Sequence, residues 1–284
     1  MTRPQLFGIV NLTEDSFSDG GRLLDPAAAI AAARALAAGG ADIVELGAAA
    51  SNIAAKPVVA EEEIRRLAPV IAALHDGGIA VSVDTFALQT QRFALRRGVA
   101  FLNDIQGFPD PSLYPELAAA RCRLVVMHAV QGQGRAERMA VPADQIWSRI
   151  EAFFAARIAA LEGGGVARDR LILDPGMGFF LSSDAAASFR VLAELGRLKR
   201  RFALPVLVSV SRKSFLAAVT GRERPDERGA ATLAAEIYAA QNGADFIRTH
   251  DPAALRDALN VTTALRAQEQ AIRSPADTAR KPAH

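Results

Sequence analysis

Eight short apolar runs, most of them rich in β-branched residues and each followed by a longer segment of helical period, constrain the fold of this chain most narrowly. The runs are Leu6 to Asn11, Asp42 to Gly47, Ala80 to Asp84, Phe101 to Ile105, Arg123 to His128, Arg170 to Asp174, Pro205 to Val210 and Phe246 to His250. Between them apolar residues recur at i, i+3, i+4 and i+7, as in Ile64, Leu67, Ala68, Ile71 and Leu74, or Ile146, Ile150, Phe153, Phe154, Ile158 and Leu161. Regular alternation of strand and helix calls for parallel strands with helices packed over them. Eight units of roughly 34 residues fit a closed (β/α)8 barrel, which uses about 250 residues in a single domain. The glycine-rich nucleotide fingerprint of an open doubly wound sheet is missing. The barrel is expected over residues 1–268, with the last helix ending near Gln268. The tail 269–284, where Pro275 and Pro282 stand among Ser, Thr and charges, is expected to be disordered. The polar stretch Gln131 to Arg138 is a candidate mobile lid.

Composition narrows the partners. Of 284 residues, 33 are Lys or Arg and 31 are Asp or Glu, a formal net charge of +2. The sequence pI near 9.0 rests on that small excess and on no basic cluster, so nucleic acid is not an expected partner. No stretch reaches the ~18 consecutive apolar residues of a membrane span. No basic start with an apolar h-region opens the chain, and Cys122 is the sole cysteine, so no internal disulfide is possible. A cytoplasmic protein that binds no membrane is expected, with Cys122 as an inert buried thiol.

Nearly every apolar run ends in a polar or ionisable residue: Asn11, Glu45, Asp84, Asn103 with Asp104, His128, Asp174, Ser211 to Lys213, then Arg248 and His250. In a barrel of this kind these are the carboxyl ends of the strands, the face on which catalytic sites assemble. Each alone could equally cap a helix or satisfy loop backbone; eight together need a common cause. Asp84, Asn103 and Asp174 offer two carboxylates and an amide to a flat heterocycle with amino and ring N–H donors, and Lys213 offers a donor to its carbonyl. Arg248 and His250 suit anionic oxygens. His128 reads as a structural histidine at least as well as a ligand contact.

The stretch Gly8-Ile9-Val10-Asn11-Leu12-Thr13-Glu14-Asp15-Ser16-Phe17-Ser18-Asp19-Gly20-Gly21 closely resembles the opening motif of the dihydropteroate synthase family. Val83-Asp84-Thr85, Asn103-Asp104, Leu173-Asp174-Pro175-Gly176-Met177-Gly178-Phe179, Ser211-Arg212-Lys213-Ser214 and Arg248-Thr249-His250-Asp251 are similar to its further motifs, in order, over about residues 6 to 266. The resemblance implies a (β/α)8 barrel, commonly a homodimer, that condenses 6-hydroxymethyl-7,8-dihydropterin pyrophosphate with para-aminobenzoate. It implies that Asp84, Asn103, Asp174 and Lys213 hold the pterin between Ile105 and Met127. Asn11 would bind Mg²⁺ at the pyrophosphate, which Ser51, Arg248 and His250 would contact. Phe17, Phe179, Phe180, Lys213 and Ser214 would frame the aminobenzoate. The catalytic set so implied is Asn11, Asp84, Asp174, Lys213, Arg248 and His250.

Two stretches depart from the family pattern. After the second strand, where the family reads roughly Asp-x-Gly-Gly-Glu-Ser-Thr-Arg-Pro-Gly, this chain has Glu45-Leu46-Gly47-Ala48-Ala49-Ala50-Ser51-Asn52, without the guanidinium. After Gly178-Phe179, where a small residue and Lys are usual, it has Phe180-Leu181. These features resemble the sulfonamide-insensitive branch of the family, in which bulk at the outer pocket excludes the drug while admitting the smaller substrate. A pterin-binding methyltransferase and a non-catalytic pterin-binding module are the alternatives. Ser211-Arg212-Lys213-Ser214 and the full opening motif weigh against the first, and the joint presence of Asn11, Lys213, Arg248 and His250 against the second.

Overall fold

The computed structural model describes residues 3–13, 25–49, 57–132 and 138–273. Among them run eight parallel strands: β1 (Gln5–Asn11), β2 (Ile43–Gly47), β3 (Val81–Asp84), β4 (Phe101–Asp104), β5 (Arg123–Met127), β6 (Leu171–Asp174), β7 (Leu207–Val208) and β8 (Phe246–Thr249). They are hydrogen-bonded in the order β6-β5-β4-β3-β2-β1-β8-β7. The two ends of the sheet meet at a parallel bridge between Leu173 and Val206, where Leu173 N donates to Pro205 O at 2.9 Å, and the cylinder closes. Outside it lie α1 (Pro26–Ala38), α2 (Ala60–Asp76), α3 (Leu88–Arg96), α4 (Tyr114–Ala119), α5 (Ile146–Gly163), α6 (Ala185–Ala193), α7 (Gly196–Phe202), α8 (Ala217–Thr220), α9 (Gly229–Gln241) and α10 (Pro252–Arg273). This is the (β/α)8 barrel that the periodicity calls for, with a strand on each of the eight apolar runs.

Local chemistry sets the element ends. Asp25 and Asp251 cap α1 and α10, accepting from Ala28 N at 3.1 Å and Ala254 N at 3.0 Å, and each is followed by a proline at the first helical position. Two boundaries differ from expectation. β7 keeps only Leu207–Val208 of the run from Pro205 to Val210; at its start Pro205 has no N–H and the Val206 N–H donates to the Asp245 carboxylate at 2.8 Å. α10 continues through residues 269–273 to Arg273, past the expected end at Gln268, since Ala267-Gln268-Glu269-Gln270-Ala271 are all good helix formers. Residues 274–284 of the expected tail and 133–137 of the expected lid lie outside the described residues. No described helix is long and apolar enough to cross a membrane.

Phe7, Ile43, Phe101, Val125, Ile172, Leu207 and Phe246 fill the floor of the barrel, with the Phe7 ring edge-on to Phe101 at 5.0 Å and to Phe246 at 5.7 Å between centroids. Side chains alternate along a strand, so the next inward position is two residues further on. That step leads from Ile43 to Glu45, Phe101 to Asn103, Val125 to Met127, Ile172 to Asp174 and Phe246 to Arg248. The intervening residues, among them Val44, Leu46, Leu102, Val126, Leu173 and Ile247, belong to the larger core between sheet and helices. A dry floor thus carries a polar layer directly above it.

Candidate active site

Arg248 occupies the middle of the polar layer. Its guanidinium forms one ion pair with the fully buried Glu45 and another with Asp84 Oδ2 at 2.7 Å. Glu45 Oε2 also accepts from Ser82 Oγ at 3.0 Å and from Asn103 Nδ2 at 3.4 Å, which leaves Asn103 Oδ1 buried without a hydrogen-bond partner. Burial pushes the Glu45 carboxyl up to about 7, against the opposing pull of Arg248. A buried cation between two carboxylates is stable only as a set, since removal of one member strands the others in low dielectric.

Asp174 lies across the layer, buried, with its carboxyl pushed up to about 6 by desolvation while Lys213 and Gly176 N hold it down. Its Oδ1 accepts from Gly176 N at 2.8 Å, folding Asp174-Pro175-Gly176 into a tight turn. Gly176 takes φ +71°, and a Cβ there would collide with the His128 carbonyl oxygen. The half-buried Lys213 donates to Met177 O at 3.1 Å and stands 5.1 Å over the Phe180 ring; burial lowers its ammonium to about 8. Arg212 beside it has φ +58°, unusual for a side chain of that size. Its N–H donates to Thr232 Oγ1 at 2.9 Å and its carbonyl accepts from Arg228 Nη1 at 2.7 Å. Buried Arg228 also donates to the carbonyls of Arg222 and Glu223, so one guanidinium holds the turn that carries Lys213.

His250 is next to the mouth. Its Nδ1 is 2.9 Å from Ser211 Oγ, which also accepts from His250 N at 3.2 Å. A hydroxyl that accepts from that amide can donate to Nδ1, leaving Nε2 as the ring's N–H donor. Burial, then Arg212, Arg248 and Lys213, press the imidazole down to about 3, so it is neutral at pH 7. A cavity of about 320 Å³ opens here between β1, α1 and the start of α10, bordered by Ile9, Arg212, His250 and Asp251. Asn11, the last residue of β1, sits against Gly47. Ile105, Met127, Ala129 and Phe180 form an apolar wall, with Phe179 packed against it and the Arg138 guanidinium 5.4 Å from the Phe179 ring. Ser214 opens the 3-10 turn Ser214–Leu216 directly after Lys213.

The structure therefore gathers Asp84, Asn103, Ile105, Met127, Asp174, Lys213, Arg248 and His250 at one mouth, while Phe17 and Ser51 lie outside the described residues. Arg248, expected on anionic oxygens, is here committed to Glu45 and Asp84. Asp104 and His128 fall on the outward parity. Asp104 accepts from Gln91 Nε2 at 2.9 Å and from the backbone of Gln106 and Phe108, and so holds the loop after β4. His128 Nδ1 bonds Pro175 O at 3.1 Å, its ring is edge-on to Phe153, and burial lowers it to about 4. Cys122 is buried beside Arg170. Sequence reasoning left Glu45 out of the site, although its inward spacing after Ile43 matches that of Asp174 after Ile172.

A (β/α)8 barrel whose strand ends converge acids, an amide and cations at one mouth is, as a class, a barrel enzyme with its site at the C-terminal face. The family model described as pterin binding enzyme matches residues 7–250. The type-2 dihydropteroate synthase of Escherichia coli is 59% identical over 261 residues, spanning 92% of this chain and 96% of that one. The type-1 dihydropteroate synthase of Mycolicibacterium fortuitum is 54% identical over 266 residues, 93% of each. Among solved structures, dihydropteroate synthase from Xanthomonas albilineans in complex with 7,8-dihydropteroate superposes with a TM-score of 0.80 at 38% identity, covering 94% of this chain and 96% of that one. The chain belongs to the pterin-binding enzyme family, among its dihydropteroate synthases.

Proposed function

We propose that the chain condenses 6-hydroxymethyl-7,8-dihydropterin pyrophosphate with para-aminobenzoate, giving 7,8-dihydropteroate and pyrophosphate. The observation that carries this reading is the polar layer itself. Asp84, Asp174 and the unpartnered Asn103 Oδ1 present acceptors to a ring rich in N–H donors, Lys213 presents a donor, and Ile105 and Met127 supply apolar walls. The C–O bond to pyrophosphate breaks with its electron pair leaving on oxygen, and the methylene carbon becomes a pterin-stabilised cation. Carboxylates hydrogen-bonded to the ring favour that positive charge, while His250 at the mouth would receive the departing anion. The aniline nitrogen then bonds to the methylene and releases its proton to solvent, without a strong base.

Among the described residues no three His, Cys, Asp or Glu side chains converge on a metal ion. A single amide at the end of β1 fits Mg²⁺ in the manner of an ion that keeps several waters and takes its other ligands from substrate phosphates. Asn11 would hold it, and the ion would supply neutralisation of charge on the leaving pyrophosphate. The chain works in the cytoplasm as a homodimer in this reading, and Val261, Leu265 and Ile272 on α10 are among its exposed apolar side chains.

In the same reading, insensitivity to sulfonamides follows from Phe180 or from the altered stretch after the second strand. Such drugs mimic aminobenzoate but carry a substituent beyond the carboxylate position, which bulk from the Phe180 ring, 5.1 Å from Lys213 Nζ and packed with Ile105, Met127 and Ala129, would exclude in this reading. Pyrophosphate release is measured with aminobenzoate present and a sulfonamide titrated at fixed substrate. Aminobenzoate-dependent release that persists at high drug is expected. Release abolished at low drug removes the insensitivity and keeps the enzyme, and no release favours a methyltransferase or a binding module. Phe180→Gly should restore inhibition; unchanged inhibition removes Phe180 from the explanation.

A further inference from the structure

We propose that Glu45 is a positioning residue of the pterin site: its buried carboxylate fixes Arg248 and the Asn103 amide in the orientations that receive the ring, without touching the ring itself. The inference rests on the pterin reading above. Glu45 has no solvent exposure and sits one step above the barrel floor, two residues on from Ile43. Groups from three other strands converge on it: Ser82 from β3, Asn103 from β4 and Arg248 from β8.

Two consequences follow from that geometry. An Asn amide whose Nδ2 donates to a carboxylate must turn its Oδ1 the other way, and Asn103 Oδ1 is buried without a partner. It therefore asks for an N–H donor from a ligand. Glutamine at position 45 could donate as well as accept, and Asn103 would then be free to flip and offer the wrong atom. Arg248 is shared between Glu45 and Asp84. When a heterocycle draws the Asp84 carboxylate to its own N–H groups, Glu45 still compensates the guanidinium, so the cation stays in place instead of following Asp84.

The charged groups facing Glu45 are Arg248 on β8, Asp84 on β3 and Asp174 on β6, with Lys213 beyond Asp174 on the turn after β7. Burial raises Glu45 to about 7, so the ionised form that orders this cluster is gained as pH rises through neutrality.

The test compares wild type, Glu45→Gln and Glu45→Asp. Calorimetry reads dihydropterin pyrophosphate binding with Mg²⁺ and no aminobenzoate, and steady-state kinetics read both KM values between pH 6 and 8. Glu45→Gln should weaken pterin binding by about tenfold or more, the scale of a lost charged hydrogen bond, with the aminobenzoate KM within about twofold. The rise in pterin affinity between pH 6 and 8 that wild type shows in excess of Glu45→Gln is the contribution of Glu45. Glu45→Asp keeps the charge and should retain that rise with part of the affinity. If Glu45→Gln does not fold, loss of the rise in Glu45→Asp overturns the inference. Glu45→Gln binding as wild type does, or raising both KM values equally, overturns the inference alone. Wild type that fails to bind the pterin pyrophosphate overturns it together with the reading on which it rests.

Discussion

Asp174 shows how little a side chain must change for the site to fail. It is buried, ionised above about pH 6, and faced by Lys213. Asp174→Asn keeps the shape and removes the charge that supports a pterin cation. We expect kcat/KM for the pterin pyrophosphate to fall by about 10² or more, with melting temperature held within a few degrees; a fall under threefold would mean that the carboxylate plays no part in the chemistry. Much at this scale was legible beforehand. Asp84, Asn103 and Asp174 are strand-end polar residues on inward parity, and parity is a property of sequence spacing. The same parity separates Asn103 from Asp104 and Met127 from His128, and would have brought in Glu45. What spacing could not show is that Arg248 pairs with Asp84, 164 residues away, because such a pair depends on barrel closure.

Among the elements, the turn after β7 depends most on one remote group. Arg228 spends its guanidinium on three backbone carbonyls, those of Arg212, Glu223 and Arg222, and so holds Arg212 at a positive φ. Arg228→Met leaves these carbonyls without their donor, at a cost of about 2–4 kcal/mol. Urea unfolding should show that loss, and the KM for the pterin pyrophosphate should rise because Lys213 is no longer delivered. Unchanged stability would show that water or another donor replaces the guanidinium. In the turn after β6, Gly176→Ala should destabilise by a similar margin, since the turn needs both φ +71° and the space against His128 O. The eight runs foretold the strands, but not that β7 would shorten to Leu207–Val208, nor that Asp245, remote in sequence, captures the Val206 N–H at its start.

Over the whole molecule, buried ionisable groups tie stability to pH. Glu45 at about 7 and Glu236 at about 8 hold protons in the folded chain that the unfolded chain has released from its ordinary 4.5 upward, so stability falls as pH rises from there to the folded values. His128 at about 4 and His250 at about 3 do the reverse, and below their ordinary 6.5 the unfolded chain binds the extra protons. Asp104 and Asp174, both at about 6, oppose the histidines in that lower range. Summed over these groups, stability should decline between pH 6 and 8. Glu236, buried with one carboxyl oxygen lacking a hydrogen-bond partner, contributes on the order of 1–2 kcal/mol of that decline between pH 6.5 and 8. Glu236→Gln should flatten the slope by this amount in urea unfolding at the two pH values; a slope equal to that of wild type would show that Glu236 is already ionised in the fold.

The claim that unites these scales is that a dry-floored barrel holds a pterin among Asp84, Asn103, Asp174 and Lys213 while its pyrophosphate departs. The most direct test is to incubate the enzyme with dihydropterin pyrophosphate, para-aminobenzoate and Mg²⁺, and to quantify 7,8-dihydropteroate and pyrophosphate in the same samples, with Asp174→Asn in parallel. Equal molar amounts of the two products from wild type and a drop of about 10² in both from the variant are predicted. Pyrophosphate without dihydropteroate, or a variant as active as wild type, would contradict the account.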